Sequence, residues 1–280
     1  MLYPGFSRGD WLVADVPNVT QHLLLQLACS RLGVAFATCK DAAALSAVAD
    51  RVQGVVAGST SSYLHAALAA KTTALKGTFA ATLDHDDQTQ GTASGAWQSL
   101  DSLAIDGDAL PDRERLPELR FDVPLAFYGA TGTNAAALTN GGALTLGAAA
   151  ATALEMTAAD SVCVSVTLGH AFGVGTACAA AFLSGAAVVL PAVGGTRGCG
   201  VPSQRAAATA TTLRDHQCSL LIADTHTLEA LNQLTPPSAP LPRLRGGICK
   251  TGSGSDFLDQ APPLQYAGAR LLVMGKRPAL

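Results

Sequence analysis

Short apolar runs alternate with segments of helical spacing along the chain, and turn residues punctuate them. Residues 11–16 are apolar and stop at Pro17-Asn18, which predicts a strand. Thr20 is suited to cap the helix that follows, in which Leu23, Leu24, Leu27 and Leu32 share one broad face. Gly33 ends it. A second strand is predicted at 34–37, a second helix at 41–51 and a third strand at 54–57. Further along, 125–128 predicts a strand, followed by a small-residue turn and a long Ala-rich helix to about Leu154. Segments 161–166, 186–190, 219–223 and 270–274 read as strands, with helices over 172–183, 204–216 and 227–234 between them. This alternation predicts an α/β fold: two doubly wound, mostly parallel sheets with flanking helices. The polar stretch 84–117 is the linker candidate, giving a first α/β subdomain at 1–120 and a second at 121–280.

Composition narrows the picture. Apolar residues make up 49% of the 280 and charged ones 14%, against a usual quarter, so a disordered chain is excluded. Eighteen basic residues against 21 acidic ones give a net charge of −3, and no basic excess exists to hold a phosphate backbone. Nucleic acid is therefore not an expected partner. Aromatics are only 5%, so the core must be built from small side chains, which favours large contacts with neighbours or other chains. Seven irregularly spaced cysteines without a CxxC pair read as buried free thiols in a reducing interior, not a disulfide framework or zinc site. The start, MLYPGFSRGDW, lacks a secretory pattern. Segments 123–154 and 161–196 carry no Asp, Glu, Lys or Arg and are long enough to cross a bilayer. Gly, Thr and Asn break them and no aromatic or basic girdle flanks them, so no transmembrane span is expected.

Three stretches carry a more specific pattern: Gly9-Asp10 with Pro17-Asn18, Ala28 and Gly33; Leu168-Gly-His-Ala-Phe-Gly173, followed by 179–191 with Gly185; and 214–222. They resemble, in turn, the GD…PN…A…G segment, the HAFG stretch running into LLAGATVVLP, and the next helix end and strand of the large N-terminal domain of acyl-CoA synthetases and other adenylate-forming enzymes. The resemblance spans about residues 6–276. The family's opening strands and small C-terminal domain, with its ribose-binding aspartate and catalytic lysine, have no counterpart in it.

The chemistry that the resemblance implies needs a phosphate loop, a cation and a metal-binding carboxylate. The loop reads YTSGTTGxPKG in the family. Here Gly129, Thr131 and Gly132 match in part, Ala135 stands in the lysine position, and Tyr128 replaces a small hydroxyl residue. Arg277 and Pro278 fall at the Thr-Glu of the family's YGxTE segment, where an arginine repels a metal and a proline offers no ligand. Lys250-Thr251-Gly252 corresponds loosely to the adenine-contacting turn. Each loss removes about 2–4 kcal/mol of transition-state stabilisation, so any two abolish useful turnover. His170, with Phe172 and Gly173, resembles a remnant of the acyl pocket; a buried histidine bonded to backbone is the competing reading.

The remaining candidates carry little chemistry. His216 and His226 read as surface residues, and His85 among Asp84, Asp86 and Asp87 as a solvated acidic loop. Residues 59–62 and 251–255 are polar turns without the Walker pattern, and no GxSxG elbow occurs. The expectation is therefore a chain with no catalytic residue, no metal site and lost binding of ATP and magnesium. It would be a non-catalytic, synthetase-like subunit whose partners are other protein subunits of a larger assembly, mitochondrial or else cytoplasmic. Two alternatives stay open: an acyl- or nucleotide-binding module, and an acyl-CoA ligase completed by a partner chain.

Overall fold

The computed structural model describes residues 5–39, 41–58, 64, 75–81, 98–99, 118, 120–129, 136–192, 198–234, 241–258 and 264–275. The chain divides into two units, 1–142 and 143–280. In the first, β1 (Trp11–Asp15) lies between β2 (Ala35–Ala37) and β3 (Val52–Gly58). Leu12, Val13 and Ala14 of β1 are all buried, as a parallel strand covered on both faces requires. The sheet continues through β4 (Gly77–Ala81) to β5 (Gln98–Ser99) on one side. On the other it continues through β6 (Pro124–Tyr128) to β7 (Ala136–Thr139). The β6–β7 pair is antiparallel and the others are parallel.

Helix α1 (Thr20–Leu32) departs from the sequence expectation in two ways. Its cap is Val19, which makes no side-chain bond, and Thr20 is already helical. The buried face comprises His22, Leu23, Leu25, Gln26 and Cys29, while Leu24 and Leu27 are 59% and 36% exposed. Five leucines between positions 23 and 32 spread around the helix, so their spacing leaves the choice of face undecided, and the face that packs takes in His22 and Gln26. Gly33 does end the helix, in the left-handed region at φ 73°. Asp41 caps α2 (Ala42–Val48) by accepting the Ala44 N–H at 2.9 Å.

The linker candidate contains a strand: Gln98 and Ser99 pair with Phe79 and Ala80. The rest of 84–117 lies outside the described residues. Strand β6 bonds to β2 and carries β7 with it, and the two compact units are 1–142 and 143–280.

Helix α3 (Asn140–Ala153) leads into the second unit. Its strands are β8 (Ser161–Ser165), β9 (Ala187–Val189), β10 (Leu220–Asp224) and β11 (Gly246–Thr251). Then come β12 (Asp256–Phe257), β13 (Leu264–Tyr266) and β14 (Ala269–Gly275). The sheet is ordered β12-β14-β11-β10-β8-β9, with β13 paired to β14. The predicted helix over 172–183 is composite: a π-helical stretch, Phe172–Cys178, precedes α4 (Ala179–Ser184), which Gly185 ends at φ 72°. Helices α5 (Pro202–Asp215) and α6 (Thr225–Gln233) place Ala206, Leu213, Leu228 and Leu231 against Leu221 and Leu271 of the sheet. No helix among the described residues is long and apolar enough to cross a membrane. All seven cysteines are free; Cys199 is exposed and Cys39 half-buried, whereas the other five are buried.

Two features hold the second sheet. A Cβ at Gly247 would lie 1.9 Å from Leu221 O of the adjoining strand, so only glycine lets β10 and β11 close. Asp160, buried before β8, takes a bidentate bond from Arg245 (3.0 and 2.8 Å) and further bonds from Ser219 Oγ and the Thr157 N–H. Arg245 also donates to the carbonyls of Leu154 and Glu155. The Arg245 guanidinium, helped by Ser219 and Thr157 against the burial, holds the Asp160 carboxyl well below its usual 3.8.

Replacing Gly247 by Ala is expected to destabilise the chain by about 3 kcal/mol, measured by denaturant titration. Asp160→Asn should remove about 2 kcal/mol at neutral pH. Because the folded pKa is depressed, that contribution is present above pH 4 and is lost as pH falls further. The wild-type denaturation midpoint should therefore drop in acid more steeply than that of the variant.

Candidate functional site

In the first unit, β6 delivers Tyr128 and Gly129. Gly129 turns the chain at φ 60° and donates its N–H to Thr38 Oγ1 at 3.1 Å. The Tyr128 hydroxyl donates to Gln26 Oε1 at 2.7 Å, so the phenol is anchored to a fully buried group on α1. Tyr128 then pairs with Ala136 of β7, and residues 130–135 join two antiparallel strands. The sequence reading ran this loop straight into a helix; β7 intervenes, and α3 starts only at Asn140. The positive end of a helix dipole therefore does not follow the loop directly. Thr131, Gly132 and Ala135 lie outside the described residues. No Lys or Arg occurs anywhere between Arg120 and Arg197.

In the second unit, the strand order is that of a doubly wound sheet whose first strand, β8, has its second, β9, on one side and its third, β10, on the other. The chain reverses direction of winding there, and in doubly wound sheets the carboxyl ends of the strands at such a point are where ligands bind. His170 follows β8. It is exposed, contrary to the buried reading, although its Nδ1 does accept a backbone bond, from the Phe172 N–H at 3.0 Å. That bond requires a lone pair on Nδ1 and leaves the proton of the neutral ring on Nε2. Partial burial of the ring and the charge of Lys250 both push its pKa below the ordinary 6.5. Phe172 is core, and a Cβ on Gly173 would sit 2.2 Å from Thr167 O, so these two residues pack the turn and leave His170 to face outward.

Lys250 near the end of β11 is the residue that the sequence reading passed over as part of a loose glycine turn. Its Nζ donates to Gly252 O at 2.7 Å and Thr251 O at 3.4 Å. Burial lowers its pKa from 10.5. The available signal was its isolation: it is the only basic residue between Arg245 and Arg270, set at the end of a strand and before a Gly-Ser turn. Thr225 Oγ1, after β10, donates to Lys250 O at 3.0 Å and holds the two strand ends together. His216 and His226 are exposed, as expected. Residues 59–62, His85 with its aspartates, Arg277 and Pro278 lie outside the described residues.

Both sheets with their flanking helices make an α/β fold of the kind found in the N-terminal domains of adenylate-forming enzymes. Among solved structures, the chain is similar to one named as a long-chain-fatty-acid CoA ligase from Rhodopseudomonas palustris, with TM-score 0.66 and 20% identity, covering 88% of this chain and 57% of that one. The N-terminal domain of FACL13 from Mycobacterium tuberculosis matches with TM-score 0.64 and 15% identity over 88% of this chain and 58% of that one. O-succinylbenzoate coenzyme A synthetase from Bacillus subtilis matches with TM-score 0.61 and 14% identity over 90% and 47%. The chain thus spans about half the length of the structures it resembles, and at these identities the likeness establishes the fold. No protein-family model and no curated protein matches.

The imidazole of His170 is expected to titrate below its ordinary 6.5, neutral at pH 7 with the proton on Nε2. Lys250→Met should move that titration upward, because one of its two lowering influences is removed. Two-dimensional NMR of the imidazole nitrogens reads both effects.

Proposed function

We propose that this chain is a non-catalytic, synthetase-like subunit with a structural or interaction role in a larger protein assembly. The observation that carries the reading is the absence of any basic residue between Arg120 and Arg197, a stretch that includes the whole of the degenerate loop from Gly129 to Ala135. Phosphoryl and adenylyl chemistry places large negative charge on such a loop, and stabilisation of that charge by a fixed cation is the main contribution a protein makes to it. Tyr128 adds to the argument. Its hydroxyl is engaged with Gln26 on α1.

The apolar side chains left on the surface support an interaction role. Leu24 and Leu27 stand one helical turn apart on α1, and Phe182 and Leu183 adjoin on α4, 46% and 50% exposed. Covering such pairs against a partner removes apolar area from water without disturbing the core. The mitochondrion is the location proposed for the assembly.

Purification from the native source at mild salt, with fractionation, is expected to recover the chain with other subunits. Leu24→Asp with Leu27→Asp should remove at least one of them while leaving the fold intact by circular dichroism. ATP and fatty acid supplied to the purified assembly should yield no pyrophosphate; release that depends on this chain would refute the reading, as would recovery of the chain alone.

A further inference from the structure

Helix α1 turns polar groups inward. His22, Gln26 and Ser30 follow one another at intervals of four, and each is bonded to a different part of the first unit. His22 Nδ1 lies 3.0 Å from Pro17 O, Gln26 Oε1 accepts the Tyr128 hydroxyl at 2.7 Å, and Ser30 Oγ donates to Asn140 Oδ1 at 2.7 Å. The second and third fastenings hold no group that titrates in mild acid. The first is a histidine, which takes up a proton not far from neutrality.

The seat of His22 admits one protonation state. The ring is 3% exposed, and its centroid lies 5.5 Å from that of Phe36 on β2. Pro17 O can only accept, so Nδ1 carries the proton of the neutral ring and Nε2 the lone pair. Nε2 is buried and has no hydrogen-bond partner. A proton added there meets no acceptor and puts a full charge in an apolar setting, a cost that exposure to water relieves. No neighbouring charge offsets it. Strand β2 brings Phe36 and no titratable group, β1 ends on Asp15, and β6 brings Tyr128, which is bonded to Gln26. Helix α1 itself brings Arg31 in its last turn and Cys29, whose thiol burial pushes up to about 12. None of these acts on His22: burial lowers its pKa from 6.5 to about 4, and only the backbone of Pro17 and Val16 works against that. The helix is also weakly held at this end, since Val19 makes no side-chain cap bond and the first turn has no acidic residue.

We propose that the first turn of α1 is an acid-opened latch: a proton on His22 Nε2 drives the ring out from beside Phe36 and frees residues 17–22, while the Gln26 and Ser30 bonds keep the rest of the helix on the sheet. Once out, the ring titrates at its ordinary 6.5, so closure is at full strength above that pH and is lost progressively down to about pH 4. The opening equilibrium rises about tenfold per pH unit across this window, about 300-fold in all. Leu24 and Leu27 are exposed on the same helix, so a partner held there is loosened in acid; that consequence rests on the subunit reading, and the opening itself does not.

Native-state hydrogen exchange of the full chain between pH 7 and pH 4.5, expressed as protection factors, tests this. The amides of Leu24 and Leu25 bond back to the first turn, and their protection should fall about tenfold per pH unit below 6.5. The amides of Arg31 and Leu32 and those of β8 and β10 should keep theirs. His22→Gln retains a donor for Pro17 O but takes up no proton, and its first-turn protection should be independent of pH. Protection that stays level in the wild type, a fall that persists in His22→Gln, or a loss shared by both units overturns the proposal. Should His22→Gln fail to fold, titration of the wild-type imidazole nitrogens decides: a pKa at or above 6.5, or a neutral ring protonated on Nε2, also overturns it. The Asp160 contribution is lost only below pH 4 and lies outside this window. Exchange is read on the isolated chain, so a negative result leaves the subunit reading standing, and pyrophosphate release refutes that reading without touching this one.

Discussion

The bidentate pair between Asp160 and Arg245 gathers the amino ends of the second sheet. Asp160 precedes β8, Arg245 precedes β11, Ser219 precedes β10, and the carbonyls of Leu154 and Glu155 close α3. Parallel strands lack hairpin connections to set their register, so bonds between their starting points must do it. Once those ends are fixed, the ladder carries the register to the other edge. It places Asp224 against Lys250, and Lys250 against Met274. The placement of Lys250 beside Asp224 therefore depends on an ion pair at the far end of the same strands.

Packing of small side chains makes this regularity possible. A Cβ at Gly147 on α3 would approach the Ala179 Cβ to 2.7 Å, and one at Gly247 would enter the Leu221 carbonyl. Elements lie close because little stands between them, and dispersion contacts then replace the area that larger side chains would bury. The consequence is sensitivity: a single added methyl at such positions has nowhere to go. The π-helical stretch at Phe172–Cys178 belongs to the same economy of space, since Gly173 passes Thr167 O closely where the chain turns out of β8.

Charge is distributed unevenly between the two candidate sites. The first-unit loop has no cation within reach in sequence, and its neighbouring tyrosine is occupied by Gln26. The second-unit edge has Lys250, to which no carboxylate bonds among the described residues. The proposed loss of nucleotide chemistry at the first strand end follows from the rule that fixed charge decides which ligands a loop can hold.

Apolar runs bounded by Pro and Gly were sufficient to determine most of the strands, the α/β class and the helix ends at Gly33 and Gly185, because those signals are local. The HAFG stretch likewise located His170 and its packing neighbours. Short strands such as β4, β5 and β7 were not legible, since two to five unremarkable residues become strands only when an edge offers them hydrogen bonds. Which sheet takes β6 is decided in the same way, by the strand edge that offers it hydrogen bonds. The buried face of α1, which takes in His22 and Gln26, was decided by packing and not by the spacing of its five leucines. Lys250 carries no motif, and only the ladder places it beside Asp224. Sequence periodicity determines which elements form; which groups remain unpaired is decided only when distant strands stand side by side, because charge compensation depends on distance in space and not along the chain.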